Sequence, residues 1–232
     1  LAKYDFFTRK KVSRLGNFIA RRITQQLLKN IIDAFSHTNA AILEIGPGNG
    51  VLAKILIDKN YRYSCIESNS IFAENLRRIG ANVYEHEIPP CKINPDSFDI
   101  VVSSHVFEHL KSTNDLIIAL SEIFAAIRPG GYLIIIIPDN RFWKEDLFDV
   151  DYTHCLKLTT NNVSQTLEDS GFDVIETAIL YGSFKGIFGI SLDYVVSTGF
   201  GFLYKLFPKF NKLLKAKIMF HGNSTLIARK PL

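Results

Sequence analysis

The chain predicts an α/β fold, a seven-stranded, mostly parallel sheet with helices on both faces. Three observations predict it. Short apolar runs alternate with amphipathic stretches of about ten to fifteen residues, the pattern of parallel strands returned by crossover helices. Tyr132–Ile137 is six apolar residues in a row, five of them aliphatic, as in a strand buried on both faces. Ile42 to Gly50 reads Ile-Leu-Glu-Ile-Gly-Pro-Gly-Asn-Gly, an apolar run that enters three alternate glycines without a spacer. Such a run is a strand-to-helix turn in which the backbone must come close to something.

The elements follow in order. Ala40–Ile45 is the first strand, and Val51–Lys59 the helix opened by the glycine turn. Tyr63–Ile66 is a second strand, followed by an amphipathic helix Ser70–Ile79 that stops at Gly80. Asn82–His86 and Phe98–Ser103 are the third and fourth strands. Asn114–Ile127 is a helix ended by Arg128-Pro129-Gly130-Gly131 ahead of the strand Tyr132–Ile137. Thr160–Ser170 is a helix with Gly171 as its C-cap, and Phe172–Ala178 is the next strand. His221–Arg229 supplies the last one. The organisation expected is an N-terminal helical lid over 1–38, a core over 39–181, a helical insertion or cap over 182–220, and a final core strand within 221–232. No internal repeat or low-complexity tract interrupts it.

At 232 residues and 47% hydrophobic, the chain suffices for one globular domain with a sizeable core. It begins at Leu1, so targeting is not judged from its start, and no signal-peptide pattern is visible. Cys65, Cys91 and Cys155 are odd in number and lack metal or disulfide spacing, which predicts a reducing, cytoplasmic setting. The net charge of +4 hides an asymmetry. Residues 1–32 carry eight Lys/Arg against one acid, and 205–232 carry seven and no acid, whereas the body has twelve basic against twenty-two acidic residues. That bears on partners and solubility, not on fold.

The glycine turn excludes two common ligands. A dinucleotide fingerprint needs a glycine at the sixth position of the loop, and Val51 stands there. A P-loop needs Lys-Ser/Thr after its last glycine, and Val51-Leu52 is not that. Glu44 sits inside the strand, where a carboxylate is costly unless something pairs with it. Glu67 ends the second strand about twenty residues on, where an acid accepts both hydroxyls of a ribose or, alternatively, caps a helix.

An acid before Gly-x-Gly-x-Gly resembles motif I of the class I S-adenosylmethionine (SAM) methyltransferases, whose fold is Rossmann-like. The later landmarks come in the same order: Phe98-Asp99-Ile100-Val101-Val102-Ser103-Ser104-His105-Val106-Phe107-Glu108-His109-Leu110, then Arg128-Pro129-Gly130-Gly131, Pro138-Asp139-Asn140, Asp151-Tyr152-Thr153-His154 and Ser170-Gly171-Phe172. The series is similar to the small-molecule branch that contains quinone-biosynthesis O-methyltransferases and many sugar and polysaccharide methyltransferases. The resemblance covers roughly 40–180. It implies SAM as cofactor, with the loop Gly46, Pro47, Gly48, Gly50 under the methionine moiety and Glu44 near its ammonium group. It implies Glu67 and Ser68 at the ribose, Glu87 (where the family commonly has Asp) and the Ile88 N–H at the adenine, and Ser103 and His105 at the cavity edge.

Methyl transfer is an in-line displacement, so the enzyme mainly aligns nucleophile and methyl group. A hydroxyl acceptor usually needs a general base, and histidine suits that task near neutral pH. His105 reads as lining the cofactor pocket through its backbone, and His109, beside Glu108, as a packing histidine. His154 lies in a connection that in this family reaches over the substrate, and it is taken as the base, with Asp151 or another acid orienting it. The other reading of His154 is a helix cap or loop pin. Asp151 and His154 as metal ligands lack a third partner, so no metal is expected.

The two ends depart most from the family. Val12, Leu15, Ile19, Ile23, Leu27 and Ile31 recur at helical spacing. Between Lys185 and Lys205 nineteen residues carry one charge, Asp193, but four glycines argue against a membrane span. Beyond it Phe210, Leu213, Leu214 and Ile218 share a helical face with Lys209, Lys212, Lys215 and Lys217 nearby, which suits either an anionic membrane surface or a docked cap helix. The expectation is O-methylation of a small sugar, phenolic or lipid-linked acceptor, with peripheral contact to an anionic membrane. Nucleic-acid methylation using the basic ends, or SAM binding without catalysis, are the alternatives. No Asn-Pro-Pro-Tyr-type motif for base methylation follows the fourth strand.

Overall fold

The computed structural model describes residues 39–181, 184–207 and 221–232, together with Thr24 and Lys217. The expected lid over 1–38 and the basic helix after Pro208 lie outside the described residues, save for those two positions.

The sheet is assembled from β1 (Ala41–Ile45), β2 (Arg62–Ile66), β3 (Asn82–Tyr84), β4 (Phe98–Ser104), β5 (Ile127–Pro138), β6 (Asp173–Tyr181), β7 (Phe184–Lys185) and β8 (Gly222–Arg229). Its order is β3-β2-β1-β4-β5-β8-β6-β7. Strands β1 to β5 are mutually parallel, and β8 runs antiparallel between β5 and β6. All seven expected strands form, and the two-residue β7 adds a short hairpin edge to β6. Because strand order reverses beside β1, the carboxyl ends of β1 and β4 open a crevice there, the place such sheets bind ligands.

Alternate residues of the central strands face opposite layers. Ile42, Ile100, Val102, Ile134 and Ile136 pack with Leu52 and Leu56 of α1 (Val51–Asp58) and Leu76 of α2 (Ser70–Arg78). Leu43, Val101, Leu133, Ile135 and Leu226 pack instead with Leu116, Leu120 and Ile123 of α3 (Thr113–Ala126). The unbroken apolar run in β5 is therefore explained by burial on both faces.

One boundary moved. The segment Arg128-Pro129-Gly130-Gly131 does not lie between helix and strand but inside β5, which starts at Ile127. Arg128 Nη1 binds Asp99 at 2.6 Å, and Ile127 pairs with Phe98 across an irregularity in the β4 register, so the glycines bend an already paired strand.

After β5 come two short helices absent from the sequence reading, α4 (Asn140–Trp143) and α5 (Asp146–Val150), then α6 (Thr160–Asp169) and α7 (Gly186–Leu206). A fully buried carboxylate, Asp139, ties this region together. It accepts from the Arg141 guanidinium (2.8 and 2.9 Å), from Ser224 Oγ of β8 (2.6 Å) and from the Thr160 N–H at the start of α6 (3.0 Å). Burial works upward on its pKa, but Arg141, Ser224 and those N–H groups outweigh it and hold it at about 2. Helix α7 packs on β6 and β7, and much of its length is apolar and exposed. Among the described residues no helix is long and apolar enough to cross a membrane.

Candidate active site

The glycine turn is built by its own backbone. Gly46 N–H donates to Ile66 O of β2 (2.9 Å), and Gly50 N–H closes the turn on Pro47 O (2.9 Å). The three glycines, all at positive φ, serve different ends. A Cβ on Gly46 would sit 2.5 Å from Val106 Cγ2, and one on Gly50 2.8 Å from Leu76, so these two are packing requirements. At Gly48 a Cβ would meet nothing within 4 Å, because that position faces a cavity of about 270 Å³.

Of the residues expected at the cofactor, Gly46, Gly48, Glu67, Ser68, Glu87, Ile88 and His105 are brought together around this cavity. Glu67 is buried, and its two oxygens accept the N–H of Gly48 (3.0 Å) and of Asn69 (2.8 Å). Burial raises its pKa, and those N–H donors work against the rise. The capping role falls to Asn69, whose side chain accepts from Ile71 N–H (3.0 Å) and Phe72 N–H (3.2 Å) at the start of α2. Asn69, Phe72, Pro89, Lys111 and Asp115 join the lining and were not foreseen. Asn69-Ser70 carried a readable N-cap signal, whereas the others reach the cavity through tertiary packing.

Four expected cofactor positions do not line the cavity, and neither do the expected catalytic residues Asp151 and His154. Glu44 does not line the cavity; it is buried beneath the sheet, where its carboxylate accepts from Tyr63 Oη (2.6 Å). Strand alternation sends it to the α1 and α2 side with Ile42, away from the ligand crevice. Burial pushes its pKa up to about 7, against the pull of the Tyr63 hydroxyl. Pro47 and Gly50 shape the turn without lining the cavity, and Ser103 is buried in β4.

On the other side of the cavity, β4 runs through His105 into a 3-10 turn, Phe107–His109. His105 Nε2 meets Asn223 Oδ1 of β8 (3.2 Å) and Nδ1 meets Ser104 Oγ (3.0 Å), so its ring serves as a tie between β4 and β8. Burial lowers its pKa. The loop after α5 docks on the turn, since the N–H groups of Cys155 (2.7 Å) and Leu156 (3.0 Å) both donate to Glu108 O. That docking brings the His109 and His154 rings to 4.7 Å between centroids.

The tautomers follow from the partners. His154 Nδ1 lies 2.5 Å from Leu147 O, a pure acceptor, so Nδ1 carries the proton and Nε2 the lone pair. Thr153 Oγ1 donates to the Asp151 carboxylate (2.5 Å) and therefore accepts from His109 Nδ1 (2.8 Å), which leaves the lone pair on His109 Nε2 as well. Burial, and then the neighbouring His154, lower the pKa of His109. Asp151 thus orients His109 through Thr153 and does not bond the His154 ring, contrary to the sequence expectation. Nor does His154 cap α6, where Thr159 and Asn162 form a reciprocal capping box.

An open α/β sheet with a bare backbone turn over a cavity at its switch point defines a domain that binds a nucleoside-like ligand. Residues 17–177 match the family model described as "Methyltransferase domain", and the chain belongs to that family. The cofactor of that family is SAM, and the cavity fits it: open space at Gly48, a buried carboxylate at Glu67, and apolar walls at Ile66, Phe72 and Leu110. The chain is 27% identical over 161 residues to a Mycolicibacterium smegmatis protein named "Probable S-adenosylmethionine-dependent methyltransferase", covering 66% of this chain and 58% of that one. It is 26% identical over 181 residues to a polyketide synthase-nonribosomal peptide synthetase of Aspergillus clavatus, covering 66% of this chain but 4% of that much longer protein. In fold it is similar to a SAM-dependent methyltransferase from Archaeoglobus fulgidus (TM-score 0.65, 20% identity, 99% of this chain and 100% of that one). It is also similar to the [4+2]-cyclase SpnF (TM-score 0.59, 16% identity, 89% and 80%), so the fold alone does not fix a reaction.

Proposed function

We propose that this chain methylates a hydroxyl group of a small sugar, phenolic or lipid-linked acceptor. The observation that carries the reading is the His109–His154 pair, of which His109 lines the cavity and His154 stands behind it, both rings held by Nδ1 with the lone pair on Nε2. An amine acceptor needs only to lose a proton, whereas a hydroxyl needs a group to take it, and a fixed imidazole is such a group. When bound, SAM supplies an electrophilic sulfonium methyl. Gly48 admits the cofactor to the backbone, Glu67 accepts from its ribose hydroxyls, and Glu87 with the Ile88 N–H reads the adenine edge. His154 Nε2 accepts the acceptor's proton, while Leu147 O and the Thr153–Asp151 chain keep the two rings from turning. His105, committed to Asn223 and Ser104, only shapes the wall.

A lipid-linked acceptor is supported by α7. Tyr194, Val195, Phe202 and Leu206 are exposed on it, with Phe207 exposed just past its end, and the chain beyond Lys205 is rich in lysine. That combination suits the surface of an anionic bilayer, which supplies both apolar and charged contacts. The test is release of S-adenosylhomocysteine from SAM with a panel of nucleotide sugars, glycolipids, prenylated phenols, amines and RNA. Turnover confined to hydroxyl acceptors supports the reading, and turnover confined to amines or RNA refutes it.

A further inference from the structure

We propose that Glu108, His109 and His154 form a binding site for a divalent first-row transition metal ion beside the cavity, at the wall that His109 lines. Each residue offers one donor atom, and the three lie within 4.8 Å of one another. Glu108 is the telling member. Its carboxyl is completely buried, and neither oxygen has a hydrogen-bond partner among the described residues. A buried polar group without a partner costs free energy and calls for an explanation. A divalent cation held between the three donors satisfies the carboxylate directly.

The two imidazoles are already prepared as ligands. In metal sites a ligating histidine usually donates its other ring N–H to a carbonyl or to a carboxylate relay, which fixes the tautomer. His154 does the first through Leu147 O, and His109 the second through Thr153 to Asp151. Two imidazoles and one carboxylate suit Zn²⁺, Fe²⁺ or another first-row ion better than Mg²⁺ or Ca²⁺, which prefer all-oxygen shells. Metal–nitrogen bonds of about 2.0–2.1 Å place ligand atoms roughly 3–3.5 Å apart, so binding draws the three inward by about 1 Å through side-chain rotation. Three protein ligands leave coordination positions open, as in sites that bind a reactant rather than only brace a fold.

The site deepens the hydroxyl-acceptor reading and rests on it only for its role. With an ion present, His154 is a ligand, and the acceptor hydroxyl ionises on the metal and gives its proton to solvent. The uptake of the ion is measured without SAM or acceptor. The protein is stripped with chelator, then titrated with Zn²⁺ by calorimetry and with Co²⁺ by visible absorption. One ion per chain is expected, with affinity at least about tenfold weaker in Glu108→Gln and in His154→Ala. Glu108→Gln is isosteric and neutral, so it keeps the fold, which far-UV circular dichroism verifies. Cys155→Ser retains binding, because the exposed Cys155 thiol lies outside the set. The Co²⁺ spectrum of the unsubstituted protein gives a reading free of any variant: nitrogen and oxygen ligands produce ligand-field bands without a thiolate charge-transfer band. Absence of stoichiometric uptake, uptake indifferent to Glu108→Gln and His154→Ala, or a thiolate band overturns the proposal. A parallel SAM titration separates the two readings: a chain that binds SAM and no ion refutes the metal site alone.

Discussion

The two walls of the cavity are made in different ways. The cofactor wall is local and largely main chain: the turn at 46–50, Glu67 and Asn69 come from two adjacent strand ends, and the Gly48 N–H bonds Glu67 directly. The wall proposed to face the acceptor is assembled from side chains far apart in sequence, with His109 and Thr153 in contact across 44 residues. It exists only because the loop carrying Thr153 and His154 hangs its N–H groups on the Glu108 carbonyl. A backbone site tolerates side-chain change wherever no Cβ intrudes, whereas a side-chain site depends on every residue that aims it.

The largest expected effect lies on the acceptor wall. His154→Ala lowers turnover by about 10²–10⁴-fold while leaving SAM affinity within about twofold. Steady-state kinetics beside a SAM titration checks this, and unchanged turnover on the true acceptor removes His154 from the mechanism. The mirror experiment on the cofactor wall is Gly48→Val, which puts a branched side chain where a cradle now lies open. SAM affinity falls by about a hundredfold, roughly 2.7 kcal/mol, and because Gly48 sits at φ +53° the β-branched residue also costs about 1–2 kcal/mol of stability, read separately by denaturant unfolding.

Gly46→Ala, one turn position away, gives the opposite pattern. Its Cβ collides with Val106, so stability falls by about 2 kcal/mol in denaturant unfolding. If both glycine variants lose only stability, the turn is structural and the contrast between the walls collapses.

Glu44 sharpens the contrast through pH. Its pKa is raised by burial from about 4.5 to about 7, so the folded state holds a proton that the unfolded chain releases. That contribution to stability is fully present below pH ~4.5, declines as pH rises, and is lost by the folded value near 7. Its full size is on the order of 2–3 kcal/mol. Glu44→Gln flattens this part of the pH–stability curve without altering SAM affinity, because the residue faces away from the cavity. The smallest effect is expected of Thr153→Val, which cuts the relay from His109 to Asp151. Turnover falls by about tenfold with SAM affinity unchanged, and Thr153→Ser restores it.

Much of the cofactor wall was legible because its determinants are backbone conformation and strand ends, both written locally. Apolar periodicity gave the strands, and the spacing of Glu67 from the glycines marked an acid that the structure places in the cavity lining. Glu44 misled because a motif position says that an acid is present but not which face of the strand it takes. Asp139 was legible only as a landmark in the sequence, and its partners Arg141, Thr160 and Ser224 are gathered from three elements. Asp151 misled because the hydroxyl of Thr153 stands between it and the ring it orients.

Sequence alone determined the seven main strands, their crossover helices and the ligand loop, since periodicity and bare glycines act over a few residues, and the order of its motifs gave the resemblance that names the cofactor. Only the tertiary structure decided the acceptor wall. The pairing of His109 with His154, and the unsatisfied Glu108 beside them, depend on one loop docking against one turn. That contact is fixed by packing and two hydrogen bonds across some forty-five residues, and no local pattern encodes it.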